Sequence, residues 1–183
     1  NQHDMTRNMV LAALFAALTA IGAFLQIPTG TVPITLQFLF TALAGLLLGW
    51  KWGAISQLLY VGIGLLGLPV FTQGGGIGYV LQPSFGFLLG LIPAAAVIGA
   101  LTARRTGYLT VLAAVLVGDL ILYAVGVPYM YLILHVYMQS AKTFPALLAA
   151  MLVYVPGDTL KIVVVTALVP VLRRTLAKAV PNL

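Results

Sequence analysis

Charged side chains within otherwise apolar stretches are the first residues in this sequence with the means to do chemistry. Asp158 and Lys161 lie three residues apart, and Asp119 lies in an earlier stretch. Spacing of i, i+3 puts Asp158 and Lys161 on one face of a helix, with Tyr154 one turn earlier on the same side. Asp119 has Tyr123 four residues on, and so beside it. A charge inside a membrane costs several kcal/mol and needs either a partner or a ligand. Nearby in kind are the amides of Gln73 and Gln82 and the phenol of Tyr79, set around Gly74, Gly75, Gly76 and Gly78. Backbone so free of side chains can bend closely over a solute. One amine, carboxylates, phenols and amides suit a small organic acid that also carries amide-like donors and acceptors. The expected substrate-binding set is Asp158, Lys161, Gln73, Tyr79, Gln82, Tyr154, Asp119 and Tyr123. Purely structural roles stand beside it. Lys161 can pair with Asp158 or Asp119 simply to hold helices together, and the glycine run can be a plain turn.

Other chemistries are poorly supplied. No catalytic residues are expected: the serines are Ser56, Ser84 and Ser140, the histidines His3 and His135, and a Ser/His pair at one catalytic depth is hard to build, since Ser84 and Ser140 would each need His135 folded onto it. No metal site is expected either, because there is no cysteine and no His-x-x-x-His pair. The glycine run is not followed by Gly-Lys-Ser/Thr, which argues against ATP binding by this chain. The formal charge of +6 comes from scattered basic residues, the wrong footprint for nucleic acid.

The elements that must position these groups are membrane helices. Among 183 residues, 62% are hydrophobic and only 7% charged, and the mean hydropathy is +1.11. Soluble domains carry about a quarter charged residues, so most of this surface must face lipid. A span needs about 20 apolar residues. Apolar stretches at 8–26, 34–50, 53–69, 84–102, 108–126 and 150–172 predict one all-α integral membrane domain of six spans over 1–183. The first stretch is too long and alanine-rich for a cleaved signal, and reads as a permanent helix. The segment with Pro128, Tyr129, Tyr131, His135, Tyr137 and Lys142 reads as a short interfacial or re-entrant helix.

Charge asymmetry supports this count. Arg7, Lys51, Arg104, Arg105, Arg173, Arg174 and Lys178 fall on one side, whereas the connections 27–33, 70–83 and 127–149 hold only Lys142. By the positive-inside rule both termini are cytoplasmic. The cytoplasmic connections are then minimal, Trp50–Lys51–Trp52 and Ala103–Thr106, while the longer ones cap an outward-facing pocket. In the first span Ala12, Ala13, Ala16, Ala17 and Ala20 make i, i+4 pairs of small residues, a smooth stripe for a partner helix or for packing within the chain.

Across these elements the sequence resembles the biotin-binding BioY family. The resemblance is carried by Val32-Pro33-Ile34-Thr35-Leu36-Gln37, Ala44-Gly45-Leu46-Leu47-Leu48-Gly49, the run Tyr60–Phe71 containing Gly67-Leu68-Pro69-Val70-Phe71, the glycine run 74–78, and Tyr154-Val155-Pro156-Gly157-Asp158-Thr159-Leu160-Lys161. It spans nearly the whole chain, with one departure: the family's usual Gly-Pro-Thr-Gly-Gly-Tyr is here Gln82-Pro83-Ser84-Phe85-Gly86-Phe87. The resemblance implies a substrate-capture S component of an energy-coupling-factor vitamin transporter in the prokaryotic plasma membrane. Such a component takes biotin from outside, has no cofactor of its own, and works with a coupling transmembrane subunit and two cytoplasmic ATPases. It also implies that the alanine stripe is the docking face. An S component for another vitamin and a self-sufficient passive carrier are the alternatives.

Overall fold

The computed structural model describes residues 2–27, 34–104, 107–139, 143–154, 159–160, 162–169 and 171. Helix α1 (Gln2–Phe24) leads into a two-residue antiparallel ladder, β1 (Gln26–Ile27) with β2 (Ile34–Thr35), in which Gln26 faces Thr35. Then follow α2 (Gln37–Leu65), α3 (Phe85–Leu101), α4 (Tyr108–Leu132) and α5 (Phe144–Ala150). The described positions between 159 and 171 are again helical.

Although its residues run on as helix, α2 is not one rod. In a straight helix, residues eight apart are separated by about 12 Å. Yet a Cβ built on Gly53 would lie 2.9 Å from the Gly45 Cα. Thr41 Oγ1 donates to Gln57 Oε1 at 2.8 Å, and Gln37 Nε2 donates to Tyr60 Oη at 2.7 Å. All these pairs are centred on one point. The chain reverses at Gly49, whose φ of 87° and ψ of 177° are non-helical, and it continues as an antiparallel arm. Gly45 and Gly53 let the two arms touch backbone to backbone. The turn therefore falls at Gly49 and not at Trp50–Trp52 as expected; those residues already belong to the second arm. Counting both arms, the described residues supply five long helical rods, α1, two arms of α2, α3 and α4, and helical positions at 159–160, 162–169 and 171 that fit a sixth.

A side chain at Gly49 meets nothing within 4 Å, so conformation alone requires glycine there. That region of φ/ψ is essentially closed to residues with a Cβ, at a cost of about 1–3 kcal/mol. Gly49→Ala is thus expected to lower the thermal midpoint of the detergent-extracted protein by several degrees, despite the open space. An unchanged midpoint would contradict the tight reversal.

Two cores hold the rods. One joins Phe15 of α1, Phe38, Leu43 and Leu47 of the first α2 arm, Ile98 of α3, Val111 and Val115 of α4, and Ile162, Val165 and Val169 of the last helix. The other gathers Ala16, Tyr60, Val61, Phe71, Tyr79, Phe85, Leu88 and Leu91. Outside these cores the helices are apolar too: Val10, Leu14, Leu109 and Val163 are exposed, as lipid-facing residues must be. A buried polar seam ties α1 to α2. Gln57 Nε2 donates to Thr19 Oγ1 at 3.2 Å, and Ser56 Oγ donates to the Ala12 carbonyl at 2.8 Å.

The ends of the bundle differ. A Cβ on Gly99 would overlap the backbone of Trp50, so the end of α3 abuts the α2 reversal. Lys51 and Arg104 therefore share one end with the start of α1, where Arg7 meets Asp4 at 3.6 Å. The ladder, the glycine-rich connection 66–84 and the segment after α4 lie at the other end. There the expected boundary at 126 is exceeded. Helix α4 runs to Leu132 and continues as a π-turn, Ile133–Tyr137, so much of the expected connection 127–149 is helix. Apolar residues through 127, 130 and 134 extend the buried stripe past Pro128, because Val127 and Met130 are buried.

Candidate functional site

A cavity of about 330 Å³ opens between the middle of α4, α5 with the turn after it, and the described start of the last helix. Among the described residues its polar lining is Asp119, Tyr123 and Thr159; the apolar wall includes Leu116, Leu120, Val127, Leu148, Met151, Leu152 and Ile162. The volume lies within the range of small-molecule sites, about 300–1,000 Å³. An aliphatic wall with a few polar groups suits a solute with a hydrocarbon part and a polar part.

Local structure explains how the lining is held. Asp119 and Tyr123 are one turn apart on α4, so both face the same way, as their spacing predicts. Phe87 of α3 packs edge-on against Tyr123 at a centroid distance of 5.7 Å and sets its ring. On the opposite wall, Thr143 caps α5 by accepting from the Ala146 N–H at 3.3 Å. Leu147 is buried against Met130 of α4, which orients Leu148, Met151 and Leu152 toward the cavity. Thr159 and Ile162 come from the last helix, where Ile162 also belongs to the core.

The other expected site residues are distributed differently. Asp158 and Lys161 lie outside the described residues, and so does the side chain of Tyr154, whose backbone closes the 3-10 turn Met151–Tyr154. Gln73 and Gln82 are exposed on the glycine-rich connection and do not line the cavity. Tyr79 is buried in a separate aromatic cluster. Its ring lies 4.7 Å from that of Phe71, which in turn packs on Tyr60 and Phe85. Burial there pushes the Tyr79 phenol above its ordinary pKa, which keeps it neutral as a hydrogen-bonding group. Phe85, the bulky departure from the family pattern, fills this cluster and not the cavity.

That cluster folds the glycine-rich connection down onto the bundle. Phe71 is fully buried over Gly64, where a Cβ would overlap its ring. Tyr60 Oη donates to the Val70 carbonyl at 2.8 Å, Tyr129 Oη donates to the Val80 carbonyl, and the Gly76 N–H donates to the Gly64 carbonyl at 2.6 Å. Tyr60 and Phe71 escape a reading that looks only for ionisable groups; the run of aromatics at 60, 71, 79 and 85 around Gly64 is the signal that points to them.

The alanine stripe divides. Ala12 and Ala16 are buried against α2, whereas Ala13 and Ala17 are exposed. Ala13, Ala16, Ala17 and Ala20 line a second space of about 330 Å³ with Ile21, Leu59, Tyr60, Ile63 and Val70, an almost wholly apolar groove.

Helical rods with an apolar exterior define a multi-pass membrane protein, and the carboxylate-bearing cavity among them has the volume of a small-molecule site. Comparison with known proteins narrows this. The BioY family model matches residues 1–178, and the chain belongs to that family. A probable biotin transporter BioY from Lysinibacillus sphaericus is 54% identical over 145 residues, 78% of this chain and 74% of the relative. The biotin transporter BioY of Rhodobacter capsulatus is 41% identical over 97% of each chain. Among solved structures, a crystal structure of the S-component for biotin from an ECF-type ABC transporter matches with a TM-score of 0.83 and 29% identity. That match covers 95% of this chain and 94% of the other.

Proposed function

We propose that this protein is the biotin-capturing S component of an energy-coupling-factor transporter, a transport subunit of the plasma membrane and not an enzyme. The observation that carries the proposal is the agreement of three likenesses. The family model spans 1–178, relatives named as biotin transporters align over most of the chain, and the fold match is to an S-component for biotin.

The chemistry of the cavity supports the same solute. Biotin has a ureido head with N–H donors and a carbonyl, an apolar bicycle, and a valerate carboxylate. Carboxylates accept from the N–H groups, an ammonium or hydroxyl meets the oxygens, and aliphatic walls take the hydrocarbon. Asp119, Tyr123 and Thr159 offer the polar part of such a set, and Leu148, Met151 and Ile162 the apolar part. In our reading Asp158 and Lys161 complete it. They adjoin Thr159 and Ile162 in sequence, and in a helix positions 158, 161 and 162 share a face. Gln73, Tyr79, Gln82 and Tyr154 then act from the roof rather than the wall.

Orientation follows from charge. Arg7, Lys51 and Arg104 share one end of the bundle, so by the positive-inside rule that end is cytoplasmic and the ladder and the glycine-rich connection are external. Biotin is captured there beneath the external connections. With no Gly-Lys-Ser/Thr sequence in the chain, the energy for release comes from partners: a coupling transmembrane subunit and two cytoplasmic ATPases. The apolar groove along Ala13, Ala16, Ala17 and Ala20 is where a helix of the coupling subunit approaches, since small residues allow close backbone contact.

Mass spectrometry of the small molecules that co-purify with the detergent-extracted protein tests the substrate directly. Biotin in near-stoichiometric amount is the expected result. A different vitamin, or saturation with biotin that leaves the thermal midpoint unmoved, would overturn the assignment.

A further inference from the structure

The phenol of Tyr123 lines the cavity, but its ring is braced from outside it. Phe87 meets that ring at an interplanar angle of 85°, an edge contact, and is not itself among the lining residues. Both rings also pack against the small core of Met130 and Leu147, which fastens α5 to α4.

Glycine makes the seat for this brace. At the start of α3, a Cβ on Gly86 would lie 3.1 Å from the Gly126 Cα, so α3 and α4 approach each other closely there. A Cβ on Gly126 would come within 2.6 Å of the Phe87 ring, which therefore takes the place of a side chain on α4. Gly126 and Tyr123 are three residues apart and share a face of that helix. The Phe87 ring rests on one and abuts the other. Phe87 also closes the segment 82–87 in which the sequence departs from its family's usual pattern, and it stands there in place of a tyrosine.

A side chain that must be ordered as a solute binds lowers affinity by about two- to tenfold. A ring that is already fixed avoids that loss. We propose that Phe87 is a positioning residue for capture: seated on Gly126, it holds the Tyr123 phenol in its binding orientation before the solute arrives. The proposal rests on the reading that this cavity takes biotin. Phe87 makes no contact with the solute and acts through Tyr123 alone.

The test uses the full chain in detergent. Phe87→Leu removes the aromatic edge, Gly126→Ala displaces the ring from its seat, and Phe87→Tyr keeps the ring. Biotin affinity is measured by calorimetric titration, and the setting of the ring by the fluorine resonance of protein carrying a fluorine label on Tyr123. Phe87→Leu and Gly126→Ala are each expected to weaken binding by about fivefold. Both should broaden or split the fluorine line of the solute-free protein, and saturation with biotin should sharpen it again. Phe87→Tyr is expected to stay within about twofold of the parent chain, with a single line. In a Tyr123→Phe background there is no phenol to aim, so adding Phe87→Leu should change affinity by less than about twofold, as groups acting through one another do. The proposal is refuted if Phe87→Leu leaves the fluorine line unchanged, or if it costs as much affinity in the Tyr123→Phe background as in the parent. If Tyr123→Phe itself binds biotin as tightly as the parent, the reading of the cavity falls and takes the proposal with it. An unchanged fluorine line beside a weakened Tyr123→Phe overturns the proposal alone.

Discussion

Replacing Lys161 or Asp158 by alanine is expected to weaken biotin binding by more than tenfold, with the protein still folded and extractable. Removing one member of a desolvated polar pair strands the other and costs about 2–5 kcal/mol, which is well beyond a tenfold change. The expectation is sharpened by the cavity: Thr159 and Ile162, immediately next to these positions in sequence, are among its lining residues. Isothermal titration with biotin is the measurement. Unchanged affinity in both variants would mean that the pair serves only to join helices, and the cavity would have to recognise its solute without them. Asp119→Asn provides the companion measurement, because Asp119 lines the cavity one turn from Tyr123 and the substitution keeps its size while removing its charge. A loss of similar size there would place all the ionisable groups on one ligand; no loss would leave Asp119 a structural partner.

The second large effect is expected at the opposite face. Ala17→Leu should abolish co-purification of the coupling subunit and leave biotin affinity within about twofold. Leucine at 17 would project into the groove, where a helix approaching a small-residue stripe needs the backbone within reach. Ala17 is the appropriate probe because it is exposed, whereas Ala16 is 5% exposed and Ala12 2% exposed, so a larger side chain at either would disturb the packing on α2 as well. Retention of the complex by the variant would move the docking face elsewhere. Together the two variants separate capture from coupling, which a single transport assay cannot do.

Part of the site is legible in the order of residues alone. The Asp119/Tyr123 pairing needs only the helical period, and both side chains do line one cavity. The alanine stripe is visible from its spacing, but spacing cannot say which alanines face inward. Ala12 meets α2 at Ser56, a residue 44 positions away, and Ala16 packs with Tyr60 and Val61. The α2 reversal is the clearest shortfall of hydropathy. The apolar run continues through it, and the aromatic-flanked Lys51 draws the expected turn past its true position. Gly49 can turn where no other residue can, but its φ is a property of the folded chain. Polarity and a shared loop group Gln73, Gln82 and Tyr79 with the charged residues. The fold instead exposes the glutamines and buries the phenol among rings.

What the sequence determined by itself is the solvent: too few charges to cover a globule force the chain into lipid, and helices are the form in which it satisfies its own backbone there. It also determined which side chains would be costly in that solvent, and so where binding chemistry is to be sought. Only the tertiary structure decided which of those groups meet. Contacts such as Gln57 with Thr19, Tyr60 with Val70, and Tyr129 with Val80 join segments whose proximity is set by how rods pack, and packing depends on the shapes of both surfaces at once. Periodicity places a residue on a face; it does not say which other face will lie against it.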